Sequence, residues 1–306
     1  MYHHGIKKIV RKEHNNAAVQ GCFQERTKNM MRVGTFLGHP ANLEDIKNKI
    51  RLLQEYGLDN CQFSSWGPSR QTPENAAEIR RIFSEYHVDI TALWCGWEGP
   101  AKWNFYEGYS TLGLVPEEYR EMRVQNLLHG SEFCGHLGVN HMISHMGFLP
   151  ENPNDPEYEK MVVTLRRIAQ PMKERGQYLL FETGQETPVV LMRIFEDIGT
   201  GNLGVNLDTA NLILYGKANP VDALDMIGKY VMGVHAKDGT YPTNGRELGH
   251  ETPIGQGKVD FPAFIRGLHA LGYDGSLTIE REISGDQQKQ DIMASITYLR
   301  NIIDTL

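Results

Sequence analysis

From Arg32 onward, short apolar or β-branched runs alternate with longer stretches in which apolar residues recur every three to four positions. The first run is RVGTFL (32–37). Residues 42–56 follow, with Leu43, Ile46, Ile50 and Leu53 on one helical face and Gly57 placed as a C-cap. LDNCQF (58–63) and VDITALW (88–94) predict the next two strands. Between them lies a helix over 73–86 that starts at Pro73 and uses Ala77, Ile79, Ile82 and Phe83 as its apolar side. A helix over Glu117–Leu137 precedes a fourth strand, VNHMISH (139–145), and a helix over 156–175 leads to YLLFE (178–182). The alternation continues through a helix over Pro188–Ile198, LGVNLD (203–208), a helix over 219–229 and VMGVHAK (231–237). It ends with a helix over 260–271, SLTIE (276–280) and a helix over Asp286–Ile303.

These are eight strand-then-helix units with no change of composition between the halves. Parallel strands need crossovers of this length, and eight of them close on themselves, so the expected fold is α/β, a single-domain (β/α)8 TIM barrel. A doubly wound open sheet is the alternative. It normally carries a glycine-rich phosphate turn after its first strand, and GTFLGHP (34–40) does not fit G-x-G-x-x-G. Residues 1–30 are basic and lack hydrophobic periodicity. They are expected to be a loose N-terminal tail or an artefact of start-site choice, with the catalytic barrel over 31–306; His3 and His4 read as tail polarity.

Composition narrows the partners. The chain has 306 residues, 40% hydrophobic and 23% charged, enough for a sizeable core. A formal charge of -7 argues against a non-specific nucleic-acid binder. No apolar run approaches a membrane span. Cys22, Cys61, Cys95 and Cys134 have neither metal-site spacing nor the density of a disulfide framework. A reducing, cytoplasmic setting is therefore expected.

The chemistry lies at the strand ends. Runs five to eight deliver Glu182, Asp208, His235 and Glu280 in succession. In a barrel the C-terminal strand ends form the active face, so the four should converge there. Three carboxylates and one imidazole suit one divalent ion such as Mn²⁺, Mg²⁺ or Co²⁺, with no organic cofactor, and an octahedral ion would keep two positions open for adjacent substrate oxygens. A single acidic residue at a strand end is commonly a helix cap or a solvated loop residue. The recurrence on consecutive strands is what points to a metal.

His145, ending run four beside the first metal strand, reads as a general base or as a group orienting a hydroxyl; a hydrogen bond to loop backbone is the alternative. His39, after run one, is a candidate substrate contact, and His141 a filler of the barrel interior. Lys237, Arg246 and Arg281 are candidate contacts to a hydroxyl or an anion, with ion pairs to Asp238 or Glu282 as the plainer reading. IGQGK (254–258) is a weak candidate for a phosphate-binding turn. Trp94, Trp97, Trp103, Phe105 and Tyr106 in and after run three suit either sugar stacking or packing of a lid.

The chain resembles the xylose-isomerase-like TIM barrels, specifically the sugar (phosphate) isomerase/epimerase branch with its ketose 3-epimerases. The matching stretches are FETGQE (181–186), NLDTAN (206–211), GVHAKD (233–238), IGQGKVDF (254–261) and LTIERE (277–282), and the resemblance spans 32–306. It implies a metal that chelates O2 and O3 of a sugar, with two glutamates acting as base and acid through an enediolate. Glu182 and Glu280 would be that pair while also ligating metal; Asp208 and His235 would only ligate. The epimerases commonly carry a histidine three residues after the aspartate, where this chain has Asn211. They also tend to carry a second glutamate six residues after the first, whereas Glu186 comes four after Glu182. An amide binds a hydroxyl but does not shuttle protons, so Asn211 and Glu186 are expected as substrate contacts in an altered recognition site.

The leading expectation is a metal-dependent isomerase or epimerase of a small carbohydrate, without nucleic-acid or membrane partners, its assembly into a homo-oligomer left open. The runner-up is a lyase on the same barrel, an inosose dehydratase-like or C-glycoside-cleaving enzyme that eliminates after proton abstraction. A DNA-repair endonuclease of the endonuclease IV type would need a three-zinc cluster, more histidines and a basic groove. A non-catalytic sugar-binding protein is the remaining class.

Overall fold

All eight apolar runs become strands. The computed structural model describes residues 31–306, and the expectation for residues 1–30 lies outside them. The strands are β1 (Arg32–Gly38), β2 (Asn60–Ser65), β3 (Asp89–Cys95), β4 (His141–Ser144), β5 (Tyr178–Glu182), β6 (Leu203–Asp208), β7 (Val231–Ala236) and β8 (Ser276–Ile279). Each pairs in parallel with its sequence neighbours, and β1 also pairs with β8, which closes the barrel. The outer layer is α1 (Glu44–Glu55), α2 (Pro73–Glu85), α3 (Glu117–Leu137), α4 (Pro156–Glu174), α5 (Pro188–Ile198), α6 (Pro220–Ile227), α7 (Phe261–Ala270) and α8 (Asp286–Ile303). The fold is the expected TIM barrel. Among the described residues no helix is long and apolar enough to cross a membrane.

Four helices start on one device: Thr72-Pro73, Asp155-Pro156, Thr187-Pro188 and Asn219-Pro220. In each, a side-chain oxygen accepts a first-turn N–H while proline takes a position whose own N–H would have no partner. Gly138 and Gly199 end α3 and α5 with φ of 76° and 67°, a conformation that glycine adopts without strain.

The main core lies between barrel and helices. Ile46, Ile50 and Leu53 of α1 and Ile79, Ile82 and Phe83 of α2 share it with Val33, Leu37, Phe63 and Leu93 from the strands. The buried alanine of α2 is Ala76; Ala77, expected there, is exposed because it lies about 100° further round the helix. A second, smaller cluster fills the barrel: Ala92, Trp94, Ile143 and Leu180, with Phe36, Tyr178 and Met232 packed against it. His141 sits at the start of β4, edge-on to Tyr178 at 5.6 Å.

The loops carry elements that periodicity did not predict. Gly108–Thr111 and Thr209–Leu214 are short helices, and Asp238–Gly239 pairs with Glu251–Thr252 as a two-stranded sheet. The loop after β3 is pinned by Arg123 of α3, which is fully buried. Its guanidinium donates to the carbonyls of Glu98, Gly113 and Pro100 and lies 4.2 Å from the centre of a Trp97 ring. The parallel register also slips twice, at Cys61/Gln62 between β2 and β3 and at Val205/Asn206 between β6 and β7.

Candidate metal centre

Glu182 ends β5, Asp208 ends β6, His235 lies in β7 and Glu280 follows β8. One donor atom from each falls within 4.8 Å of all the others. His235 Nδ1 is 2.9 Å from Glu182 Oε1, 3.3 Å from Glu280 Oε2 and 3.8 Å from Asp208 Oδ2. The other nitrogen, Nε2, is 2.6 Å from Gln62 Oε1, and the Gln62 amide donates to Asn206 Oδ1 at 2.9 Å. Gln62 and Asn206 are the residues at which the register slips, and such irregularities re-aim side chains.

Asp208 has two separate tasks. Its Oδ1 accepts the Asn211 N–H at 2.7 Å and caps the helix Thr209–Leu214. Its Oδ2 is buried and has no hydrogen-bond partner. A buried carboxylate oxygen in that position is costly unless a cation sits against it. Burial pushes Asp208 up to about 7, with Lys237 pulling the other way. Burial also opposes charge on Glu280, but Lys237 and His235 outweigh it and hold that carboxyl well below the usual range. Glu182 is likewise held below that range, as His235 and His145 overcome its burial. Three carboxylates and one imidazole thus face a single point. Asp208 Oδ2 has no hydrogen-bond partner and the Lys237 ammonium only at 3.8 Å, which makes this a set that could hold a metal ion.

A cavity of about 230 Å³ opens beside these groups. One wall is aromatic and comes from β1 to β3 and the loops after them: Phe36, Trp66, Trp94 and Trp103. The other comes from β5 to β8 and carries Glu182, Asn211, Tyr215, Glu280 and Glu282. His145 lies between the two walls. Trp66 stacks on Trp94 with ring centres 4.8 Å apart, and Trp103 tilts over His145 at 4.8 Å. The indole N–H of Trp94 donates to Glu182 Oε2, so one oxygen of that carboxylate faces Trp94 and the other faces His235. Burial keeps His145 below the usual imidazole value, with Glu182 and Glu280 opposing; its Nε2 is 3.7 Å from Glu182 Oε2.

Of the residues expected from sequence, the structure brings together the four donors and places His145, Trp94 and Asn211 on the cavity wall. Lys237 lies behind the wall, 2% exposed, with Nζ 3.2 Å from Glu280 Oε2, 3.1 Å from Glu282 Oε2 and 3.4 Å from Asn211 Oδ1. Glu186 is buried outside the lining with neither oxygen hydrogen-bonded through its side chain, and burial pushes it up to about 8. His39 is turned into the core between Phe63 and Phe133, its Nδ1 paired with Ser65 Oγ at 3.0 Å. Arg246 is exposed on the loop between the two short strands, outside the lining.

Two further expectations are corrected. IGQGK is not an open anion site, because its N–H groups already have an anion. Asp238 Oδ2 accepts from Gly255 and Gly257, each at 2.9 Å, and Asp238 Oδ1 from Val259 at 3.1 Å. A Cβ at Gly257 would lie 2.1 Å from Asp238 Oδ1, so that turn requires glycine. Arg281 is bound to Glu251 and Asp291, each at 2.8 Å, rather than to Glu282. Trp97 is buried beneath the wall and donates to the His145 carbonyl at 3.3 Å, Phe105 packs edge-on to Tyr215, and Tyr106 is exposed. Phe36, Trp66, Tyr215 and Gln62 were not anticipated, and Glu282 was expected only as an ion-pair partner, which it is for Lys237. Gln62 alone carried a signal, since a long polar side chain in a buried strand needs a hydrogen-bond partner.

Comparison with known proteins agrees with this architecture. A xylose isomerase domain protein from Planctomyces limnophilus is 32% identical, with 89% of this chain and 97% of that chain covered and a TM-score of 0.82. A 3-keto-D-glucoside 4-epimerase from E. coli shares the fold at 18% identity, with 89% and 99% covered and a TM-score of 0.66. A D-psicose 3-epimerase, solved in the presence of D-fructose, does so at 15% identity, with 89% and 99% covered and a TM-score of 0.65. Residues 50–302 match the family model described as xylose isomerase-like TIM barrel. Closed parallel barrel, strand-end donors and family match lead to one conclusion: the chain belongs to the xylose isomerase-like TIM barrel family.

Proposed function

We propose that this protein is a divalent-metal-dependent epimerase or isomerase of a small carbohydrate. The observation that carries the reading is the orphaned Oδ2 of Asp208 within a ring of four donors at the foot of a cavity. Glu182, Asp208, His235 and Glu280 would hold the ion, and three oxygens with one nitrogen suit Mn²⁺, Mg²⁺ or Co²⁺. When bound, the ion supplies Lewis acidity toward two neighbouring substrate oxygens.

Glu182 and Glu280 then move the proton. Both are held in the charged form, so either can accept a proton from a carbon beside a carbonyl. The opposite carboxylate, once it has taken a proton from water or a substrate hydroxyl, returns one to the other face. Trp94 fixes the direction of Glu182, and Lys237 that of Glu280. Neutral His145, against Glu182, orients a substrate hydroxyl or receives its proton. The aromatic wall packs on the apolar face of a sugar and excludes water.

Elimination is the second reading. The amide of Asn211 occupies the wall position where a proton-shuttling histidine would favour simple return of the proton. One experiment separates the two. The chelator-stripped protein is reloaded with Mn²⁺, Mg²⁺ or Co²⁺ and incubated with ketoses and 3-keto-glycosides in D₂O. Metal-dependent deuterium incorporation without loss of water or aglycone supports epimerisation, and release of either supports the lyase. If Glu182→Gln and Glu280→Gln left turnover unchanged, both readings would fall.

A further inference from the structure

We propose that this site takes an uncharged sugar and excludes phosphate esters and sugar acids; the inference rests on the carbohydrate reading above. An anionic group is normally held by arginine or lysine, or by free N–H groups at a helix start. Lys237, Arg281 and the nearby N–H groups are already committed, and Lys102, exposed beside Trp103, is outside the lining. Lys237 is enclosed by Glu280, Glu282 and Asp208, with Nζ 3.2, 3.1 and 3.8 Å from their oxygens. Arg281 is held between Glu251 and Asp291. The N–H groups of Gly255, Gly257 and Val259 point at Asp238, and that of Asn211 at Asp208. Arg246 is outside the lining.

Among the described residues, the lining has three carboxylates, Glu182, Glu280 and Glu282, and neither lysine nor arginine. A divalent ion at the four donors together with Lys237 would offset three of the four carboxylates Glu182, Asp208, Glu280 and Glu282, so the site keeps a negative charge. Glu282, whose side chain is 61% exposed, lies on the cavity wall. A phosphate or carboxylate on the substrate would meet like charge there. What the cavity offers instead is apolar. Trp66 and Trp103 are 37% and 41% exposed at its mouth, and both pack against the buried Trp97 that Arg123 holds. Rigid indole faces grip the C–H face of a neutral ring without any ionic anchor.

The test uses the full chain loaded with Mn²⁺. The probes are the four D-ketohexoses, their 1- and 6-phosphates, and D-gluconate, and binding is read from paramagnetic relaxation of the ligand protons. The expected result is binding of at least one free ketohexose, with its phosphates and gluconate at least tenfold weaker. Glu282→Gln should narrow that gap, and Trp103→Ala should weaken the neutral sugar. A phosphate ester that binds as tightly as its parent, or in its place, overturns the proposal. Binding of a neutral ketose without exchange of its carbon-bound hydrogen in D₂O would sink the epimerase reading and leave this inference standing. Exchange confined to phosphate esters would do the reverse.

Discussion

His235 Nε2 lies 2.6 Å from Gln62 Oε1, on the side of the ring opposite the three carboxylates. Because the Gln62 amide nitrogen is taken up by Asn206, its carbonyl faces the ring and accepts from Nε2. Burial opposes charge on His235, but Glu182 and Glu280 outweigh it and raise the ring well above the usual imidazole value. In the metal-free site Nδ1 therefore also carries a proton, toward Glu182. A metal ion at the four donors would displace the Nδ1 proton and leave Nε2–H on Gln62, with Nδ1 as the ligating nitrogen. Such outer contacts typically change metal affinity by roughly 10- to 100-fold. Gln62→Leu is therefore expected to weaken Mn²⁺ binding by about tenfold or more in calorimetry, and Gln62→Glu, which keeps an acceptor, much less. Equal affinity in Gln62→Leu and the parent would refute the role.

The division of labour in Asp208 predicts that two substitutions differ. Asp208→Asn keeps a side-chain acceptor for the Asn211 N–H, whereas Asp208→Ala does not. Both should lose metal-dependent thermal stabilisation. In the metal-free state, Asp208→Ala should be less stable than Asp208→Asn by about 1 kcal/mol, the usual cost of removing an N-cap. Urea denaturation in the presence of chelator measures that difference.

His39 predicts an acid-side slope. Burial, aided by Arg70, lowers it from 6.5 to about 4. Between these values the unfolded chain binds more protons than the folded one, so stability falls as pH drops from 6.5 toward 4. The contribution lost between pH 7 and pH 5 is about 2 kcal/mol by linkage. His39→Gln should unfold with a flatter pH dependence over that interval, and an unchanged slope would rule out His39 as its source.

Glu186 predicts the opposite sign. Burial raises it from 4.5 to about 8, so its folded form binds more protons between these values. Its contribution is complete below pH 4.5 and declines as pH rises toward 8, by up to about 4 kcal/mol. Glu186→Gln should therefore gain stability over the parent at pH 8 and little at pH 5. Thermal unfolding in chelator at the two pH values checks this without interference from metal.

The barrel and its four donors were legible because each rests on a local rule. Apolar runs of strand length separated by amphipathic helices need no tertiary information, and strand-end residues follow from the closure of the sheet. The cavity wall was less legible. Phe36 and Trp66 read as ordinary apolar residues at strand ends, and their place beside Trp94 depends on how β1, β2 and β3 come together. His39 was misjudged for a related reason. Position after a strand does not fix which way a ring turns, and here Phe63, Phe133 and Ser65 turn it inward. Asp238 shows the limit of motif reading: a glycine-rich turn looks like an anion site whether its anion is a ligand or a side chain of the same chain.

The aromatic and ionic walls of the cavity come from opposite arcs of the barrel, and this has an evolutionary consequence. Substitutions at Phe36, Trp66 or Trp103 change the surface on which a ring rests, while the four donors belong to other strands. The two arcs still touch: Phe36 lies edge-on to His235 at 5.5 Å and Trp66 stacks on the Trp94 that donates to Glu182, so changes there couple to the donors. A lineage built on this barrel can therefore change its sugar more freely through the loop after β3, whose Trp103 leans on His145, than through Phe36 or Trp66, where each change is also felt by the donors of β5 to β8.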